Sequence, residues 1–170
     1  MLSFDIRSIE TRAIDVEGDL DATDPVWEEG DNRPDAAVRV TGRLQSAGVG
    51  RFYFSGQVSG SVSGECRRCL APVSAAVSEE THVFFADAGA DETDDPDVYV
   101  LDPRNPELDL RPAMREQWLL AVPAWHLCRD DCKGLCPTCG ADLNAGPCDC
   151  TPAADPRWAA LRAAPRGAST

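Results

Sequence analysis

Residues 38–85 read VRVTGRLQSAGVGRFYFSGQVSGSVSGECRRCLAPVSAAVSEETHVFF. Val38, Val40 and Leu44 alternate with Arg39, Thr41 and Arg43. After a turn at residues 46–50, Phe52, Phe54, Val58 and Val62 alternate with Tyr53, Ser55, Gln57, Ser59 and Ser61. Val73, Ala75, Val77, Val83 and Phe85 then share one parity, against Ser74, Ser78, Glu80 and His82. A two-residue period held this long describes half-buried antiparallel strands with one apolar and one wet face. Gly56, Gly60 and Gly64 fall on the apolar parity, where a glycine weakens a strand unless close approach or curvature requires it. The expected fold is therefore α+β, mainly β, built on a strongly curved, barrel-like antiparallel sheet. Cys66-Arg-Arg-Cys69 lies at the tip joining its two longest strands.

Upstream, residues 4–9 partly alternate and suggest a first strand. Residues 15–36 are acidic and hold Pro25, Gly30 and Pro34, so they read as a long loop with Trp27 tucked onto the core. Downstream, residues 87–97 (DAGADETDDPD) read as a solvated acidic loop, residues 98–100 as a short strand, and Pro103 and Pro106 as a turn. Asp109 can cap a helix over about 110–122, with Pro112 in its first turn and Pro123 ending it. Leu110, Met114, Trp118 and Ala121 give that helix its apolar stripe, with Arg111 and Arg115 on the exposed side. This divides the chain into a β domain over 1–126, a cysteine-rich segment over 127–150 and a flexible tail over 151–170.

The cysteine-rich segment reads LCRDDCKGLCPTCGADLNAGPCDC. It carries Cys128, Cys132, Cys136, Cys139, Cys148 and Cys150; the other two cysteines are Cys66 and Cys69. In Cys136-Pro-Thr-Cys-Gly140 the proline pre-sets a tight turn and the glycine can take the positive φ that follows. Two thiolates two residues apart then reach one tetrahedral ion, and sulfur ligands in close pairs are what structural zinc takes, in a zinc-knuckle arrangement. One grouping joins Cys66 and Cys69 to Cys128 and Cys132, with Cys136, Cys139, Cys148 and Cys150 as a second set, for two Zn²⁺. The other draws one site wholly from the six C-terminal cysteines and leaves the hairpin pair free. Redox dithiols and iron sites share such spacings, and a thiol redox protein is one alternative. A disulfide scaffold needs export, and MLSFDIRSIE shows no secretory pattern, which predicts a cytoplasmic protein. His82, on a polar parity, and His126, beside a full set of sulfurs, are expected outside the metal sites.

The 170-residue chain has a net charge of −13, and its only lysine is Lys133. Eight thiolates (−8) around two divalent ions (+4) take that to about −17. Such a surface repels phosphate backbones and attracts basic proteins. No run of apolar residues is long enough to span a membrane. Two closed four-sulfur sites leave no open coordination position, and no nucleophile–base set or phosphate-binding glycine loop is present, so an enzyme is not expected.

Three stretches together resemble a known family. ECRRCL at 65–70, REQWLLAVP at 115–123 and LCRDDCKGLCPTCGADLN at 127–144, ending in Cys148-x-Cys150, are similar to the large ribosomal RNA subunit accumulation proteins, the YceD-like family. The resemblance spans about residues 38–150. It implies a non-enzymatic bacterial or plastid factor in the synthesis, processing or accumulation of large-subunit ribosomal RNA. Cys66 and Cys69 correspond to that family's hairpin pair, and the six later cysteines to a cluster found in many members. Basic ribosomal proteins or assembly factors are the expected partners. A direct nucleic-acid binder of zinc-ribbon type is the alternative, with ribosomal RNA meeting a patch of Arg67, Arg68, Arg129 and Lys133.

Overall fold

A computed structural model describes residues 1–88, 97–151, 155–159 and 163. The centre of the acidic loop and Leu161 of the tail lie outside the described residues. Strands β1 (Ser3–Asp5), β2 (Ile14–Leu20), β3 (Val38–Gly48), β4 (Arg51–Glu65), β5 (Pro72–Asp87), β6 (Val98–Leu101) and β7 (Glu107–Asp109) accompany helices α1 (Ile6–Thr11) and α2 (Arg111–Ala121). The main sheet has the order β2-β3-β4-β5-β6; β1 and β7 form a separate antiparallel pair. The β2–β5 ladders are antiparallel, and β6 runs parallel to the last residues of β5, from Phe84↔Val98 to Asp87↔Leu101.

The N-terminal expectation is corrected twice. Only Phe4 and Asp5 of residues 4–9 are extended; the Asp5 carboxylate accepts from the Arg7 N–H (2.9 Å) and starts α1 instead. Residues 14–20 are strand, not loop. Val16 and Leu20 are buried, while Asp15, Glu17 and Asp19 face Arg43, Thr41 and Arg39 across the ladder. Gly18 breaks the apolar parity because a Cβ there would stand 2.9 Å from Leu2 Cδ2.

The barrel expectation is also corrected. The sheet is open, with β2 and β6 as its two edges, and it is neither closed nor strongly curled. The glycines serve close approach. A Cβ on Gly60 would lie 2.9 Å from Trp118 Cζ3, and one on Gly64 would lie 2.4 Å from His126 Cδ2. Gly42 and Gly56 face each other across β3–β4 beneath the Phe54 ring.

Helix α2 lays Ala113, Met114 and Trp118 on the sheet among Phe52, Phe54, Val58 and Phe85, all fully or nearly buried. The helix starts at Arg111, with Leu110 as its N-cap and no side-chain bond from that cap; Asp109, one residue further out, still accepts from the Arg111 N–H (2.9 Å). Arg111 and Arg115 do not simply face solvent. Arg115 makes two bonds to Asp31 (2.7 and 2.9 Å), and Arg111 reaches Asp109 (2.8 Å) and Asp24 (3.3 Å). Trp118 Nε1 donates to the Asn32 carbonyl (2.8 Å), and Trp27, buried as expected, donates to the Asp21 carbonyl (2.7 Å). The acidic stretch after β2 is thereby fixed to α2 by the two arginines.

Strands β4 and β5 outrun the rest of the sheet. The β3 partner of β4 ends at Arg39↔Ser59, yet β4 stays paired with β5 to Glu65↔Pro72. On the vacated side, Asp35 N donates to the Ser61 carbonyl (2.9 Å) and the Asp35 carboxylate accepts from Ser63 N (2.8 Å). The result is a two-stranded arm with Cys66-Arg-Arg-Cys69 at its tip.

Candidate metal centre

The two C-x-x-C turns are built alike. At the arm tip Leu70 N donates to the Cys66 carbonyl (2.8 Å) and Cys66 N donates to the Ala71 carbonyl (2.8 Å). In the C-terminal segment Gly140 N donates to the Cys136 carbonyl (2.8 Å) and Cys136 N to the Ala141 carbonyl (2.8 Å). The fifth residue is left-handed in both, Leu70 at φ 61 and Gly140 at φ 72. CRRCLA at 66–71 and CPTCGA at 136–141 are thus one motif used twice. Closing the turn this way leaves the amides around the first sulfur pointing at it; Thr138 N lies 3.4 Å from Cys136 Sγ.

The chain after α2 then comes back onto the arm tip. Cys66 forms a parallel bridge with His126, and Arg67 N donates to the His126 carbonyl (3.0 Å). Leu135 N donates to the Arg68 carbonyl (3.0 Å). The Arg68 guanidinium donates to the carbonyls of Asp130 (3.1 Å) and Cys132 (2.9 Å). Gly134, at φ +74, passes so close that a Cβ would stand 2.7 Å from the Arg68 carbonyl oxygen. Asn144 ties the segment together: its Oδ1 accepts from Lys133 N and from Arg129 (both 2.8 Å), and its Nδ2 lies 3.5 Å from Cys132 Sγ.

All eight cysteines gather into two groups. Cys66, Cys69, Cys128 and Cys132 form one, and Cys136, Cys139, Cys148 and Cys150 the other; within each, the sulfurs all lie within 4.8 Å of one another. This is the cross-segment grouping. Cys66 and Cys132 sulfurs are 3.8 Å apart, and Cys69 and Cys128 sulfurs 3.6 Å. A disulfide is about 2.05 Å. A tetrahedron with zinc–sulfur bonds of about 2.3 Å has edges of about 3.8 Å. The donor set therefore fits one four-coordinate ion per group. Cys66, Cys132 and Cys136 are buried, while Cys128 and Cys139 are exposed, so the first group is the more enclosed.

The thiols differ as crowded ligands should. N–H groups of Cys128 and Cys69 hold the Cys66 thiol down at about 6 against the opposing effect of burial. Those of Cys139 and Thr138 do the same for Cys136, also to about 6. Cys128 is pushed up to about 12 by its hydrogen bond with Cys132 and by burial, and Cys150 to about 11 by Cys139 and burial. One thiolate per group forms readily, at Cys66 and at Cys136; Cys128 and Cys150 are held in the protonated form because a second negative charge alongside is unfavourable. A divalent cation removes that conflict.

Neither histidine joins a group: His82 bonds Tyr53 (2.7 Å) on the sheet surface, and His126 contributes its backbone. The cations expected as an RNA patch do meet at the arm tip, but three have intramolecular partners. Arg68 holds carbonyls, Arg67 lies 4.9 Å over the Trp125 ring, and Arg129 pairs with Asp131 (3.3 Å) and Asn144. Sequence reasoning missed Leu70, Gly134 and Asn144. Setting CRRCLA beneath CPTCGA would have flagged Leu70; nothing local marks the other two. No helix among the described residues is long and apolar enough to cross a membrane.

Proteins of Mycobacterium bovis and of two Mycobacterium tuberculosis strains, each carrying only the name "uncharacterized protein", are 37% identical to the chain over 123 residues, covering 70% of it and 58% of each relative. The chain thus matches little more than half the length of these curated relatives. No solved structure matches it. A family model described as "Large ribosomal RNA subunit accumulation protein YceD" matches residues 54–163, from near the start of β4 through both cysteine groups. The chain belongs to the YceD family.

Proposed function

We propose that this protein is a non-enzymatic, zinc-stapled factor supporting the accumulation of large-subunit ribosomal RNA, and that it works by gripping basic proteins of the assembling particle. Family membership supplies the process. The observation that carries the metal is the pair of four-sulfur groups, each with sulfurs within 4.8 Å of one another. Cys66, Cys69, Cys128 and Cys132 would hold one ion and dock the 127–150 segment to the arm. Cys136, Cys139, Cys148 and Cys150 would hold the other and shape that segment's end. Four thiolates per ion leave no position for a water nucleophile, which favours a structural role over hydrolysis. The −13 charge favours a protein partner over bare RNA.

The test is metal analysis together with thiol counting on freshly purified protein. Two equivalents of zinc and no thiol reactive without denaturant are the expected result. Stoichiometric iron, or eight freely reactive thiols in a folded protein, would refute the zinc assignment. Loss of large-subunit RNA on depletion, restored by the wild-type chain but not by a Cys66→Ser variant, would tie the centre to the process.

A further inference from the structure

We propose that the open edge of β5, residues 73–83, is a docking site for an extended basic peptide, which would pair with it as an added strand. This deepens the adaptor reading and rests on it. Strand β6 covers β5 only from Phe84 to Asp87. Before Phe84, no strand among the described residues pairs with β5 on that side. A strand edge presents alternate backbone N–H and C=O groups, and a second extended chain satisfies them.

Such edges are usually blunted by a bulge, an internal proline or charged side chains. This one has no bulge and no internal proline; its charges are Glu79, opposite buried Val58, and Glu80. The β4–β5 register is continuous from Arg51↔Ala86 to Glu65↔Pro72, and the one proline sits at the strand's first residue. No lysine or arginine occurs from Pro72 to Ala88; the charged residues of the edge are Glu79 and Glu80, both exposed. At the end nearer β6 lies a cavity of about 330 Å³ whose lining includes Phe84, Tyr99 and Leu120 together with Glu116 and Asp97. Leu120 is 74% and Phe84 49% exposed. Acidic guards repel a second copy of the same edge, where like charges would meet. They attract a strand whose side chains are lysine or arginine, with an apolar residue for the cavity. Eleven residues at about 3.3 Å each give such a strand roughly 36 Å of ladder.

The experiment uses the metal-loaded 170-residue chain and a peptide of about ten residues alternating lysine and valine, at the upper end of ordinary strand lengths. Amide hydrogen exchange with and without peptide should show new protection at residues 73–83. The same peptide N-methylated at alternate positions should lose binding. The Glu79→Lys/Glu80→Lys double variant should bind about tenfold more weakly, and a glutamate–valine peptide should not bind. Equal binding of the N-methylated peptide, protection elsewhere, or an edge already protected in the free protein in a concentration-dependent way would overturn the proposal; the last would assign the edge to a second copy. Zinc content measured on the same sample separates a failure here from a failure of the metal assignment.

Discussion

Leu70 carries a conformation that its counterpart Gly140 carries without cost. A left-handed backbone brings a Cβ toward the following carbonyl, about 1–2 kcal/mol for a non-glycine residue. Leu70 is also 58% exposed, so its side chain repays little by burial. Leu70→Gly should therefore raise the stability of the metal-loaded protein by up to about 1 kcal/mol, once glycine's greater unfolded freedom of about 0.5–1 kcal/mol is set against the relief. Leu70→Val should lower it, β-branched side chains tolerating positive φ worst. Denaturant melts of the three proteins decide; a Gly variant less stable than wild type means the turn is held by leucine contacts instead. Gly60 makes the opposite case. A methyl there would sit 2.9 Å from the Trp118 ring, which is itself fully buried. Gly60→Ala should cost about 1–3 kcal/mol by overpacking, whereas Ser59→Ala on the wet face should stay within about 0.5 kcal/mol.

Helix α2 and the acidic stretch after β2 act as one element through Arg115 and Asp31. Hydrogen bonds from the Arg115 guanidinium hold the Asp31 carboxyl below its ordinary value of 3.8. A carboxylate depressed by folding contributes stability that is complete above its unfolded value and lost as pH falls through its folded one. Asp31→Asn should therefore be less stable than wild type at neutral pH, with the difference shrinking as pH falls below about 4. Parallel urea melts at neutral and acid pH test this; a constant difference would mean that the ion pair contributes nothing to folding. The same element shows where sequence reading stops. Alternation over residues 38–85 announces β3, β4 and β5 because each buries one face. Trp27 and the α2 stripe announce themselves by hydrophobicity. Strand β2 stays hidden because its outward residues are all acidic and Gly18 interrupts its inward ones, so it resembles a loop. The glycines of β4 mark a requirement without saying which; close approach and curvature leave the same letter, and only the positions of Trp118 and His126 decide between them. The cysteine grouping was equally undetermined, because the return of residues 126–135 onto the arm rests on backbone bonds to Arg67 and Arg68 that no spacing encodes.

Across the whole molecule, burial divides the chain. The sheet and α2 share a continuous apolar core, from Leu20 and Val40 to Met114 and Trp118. Within residues 127–150 only Cys132 and Cys136 are buried apolar side chains. A structural zinc site contributes about 10–16 kcal/mol in small domains, comparable with the whole stability of a typical domain at about 5–15 kcal/mol. Removing metal should accordingly release the C-terminal segment and leave the sheet folded. The order of release follows from burial. Cys66 and Cys132 of the arm-tip group are at 0% and 3% exposure, whereas only Cys136 of the distal group is buried. A chelator should therefore strip the distal group first, loosening residues 136–150 while amides at 66–71 stay protected; emptying the arm-tip group should then free residues 127–135 as well. Falling pH should act in the same direction, because each ligand must be a thiolate and protons compete with the metal for it. Variants separate the two steps. Cys139→Ser should retain about one equivalent of metal and the arm-tip protection. Cys69→Ser should detach the whole segment, because Leu135 and Asn144 are positioned by the docked arm. Simultaneous loss of both metals in either variant, or collapse of the β3–β5 amides on chelation, would show that the core and the metal-held segment fold as one unit.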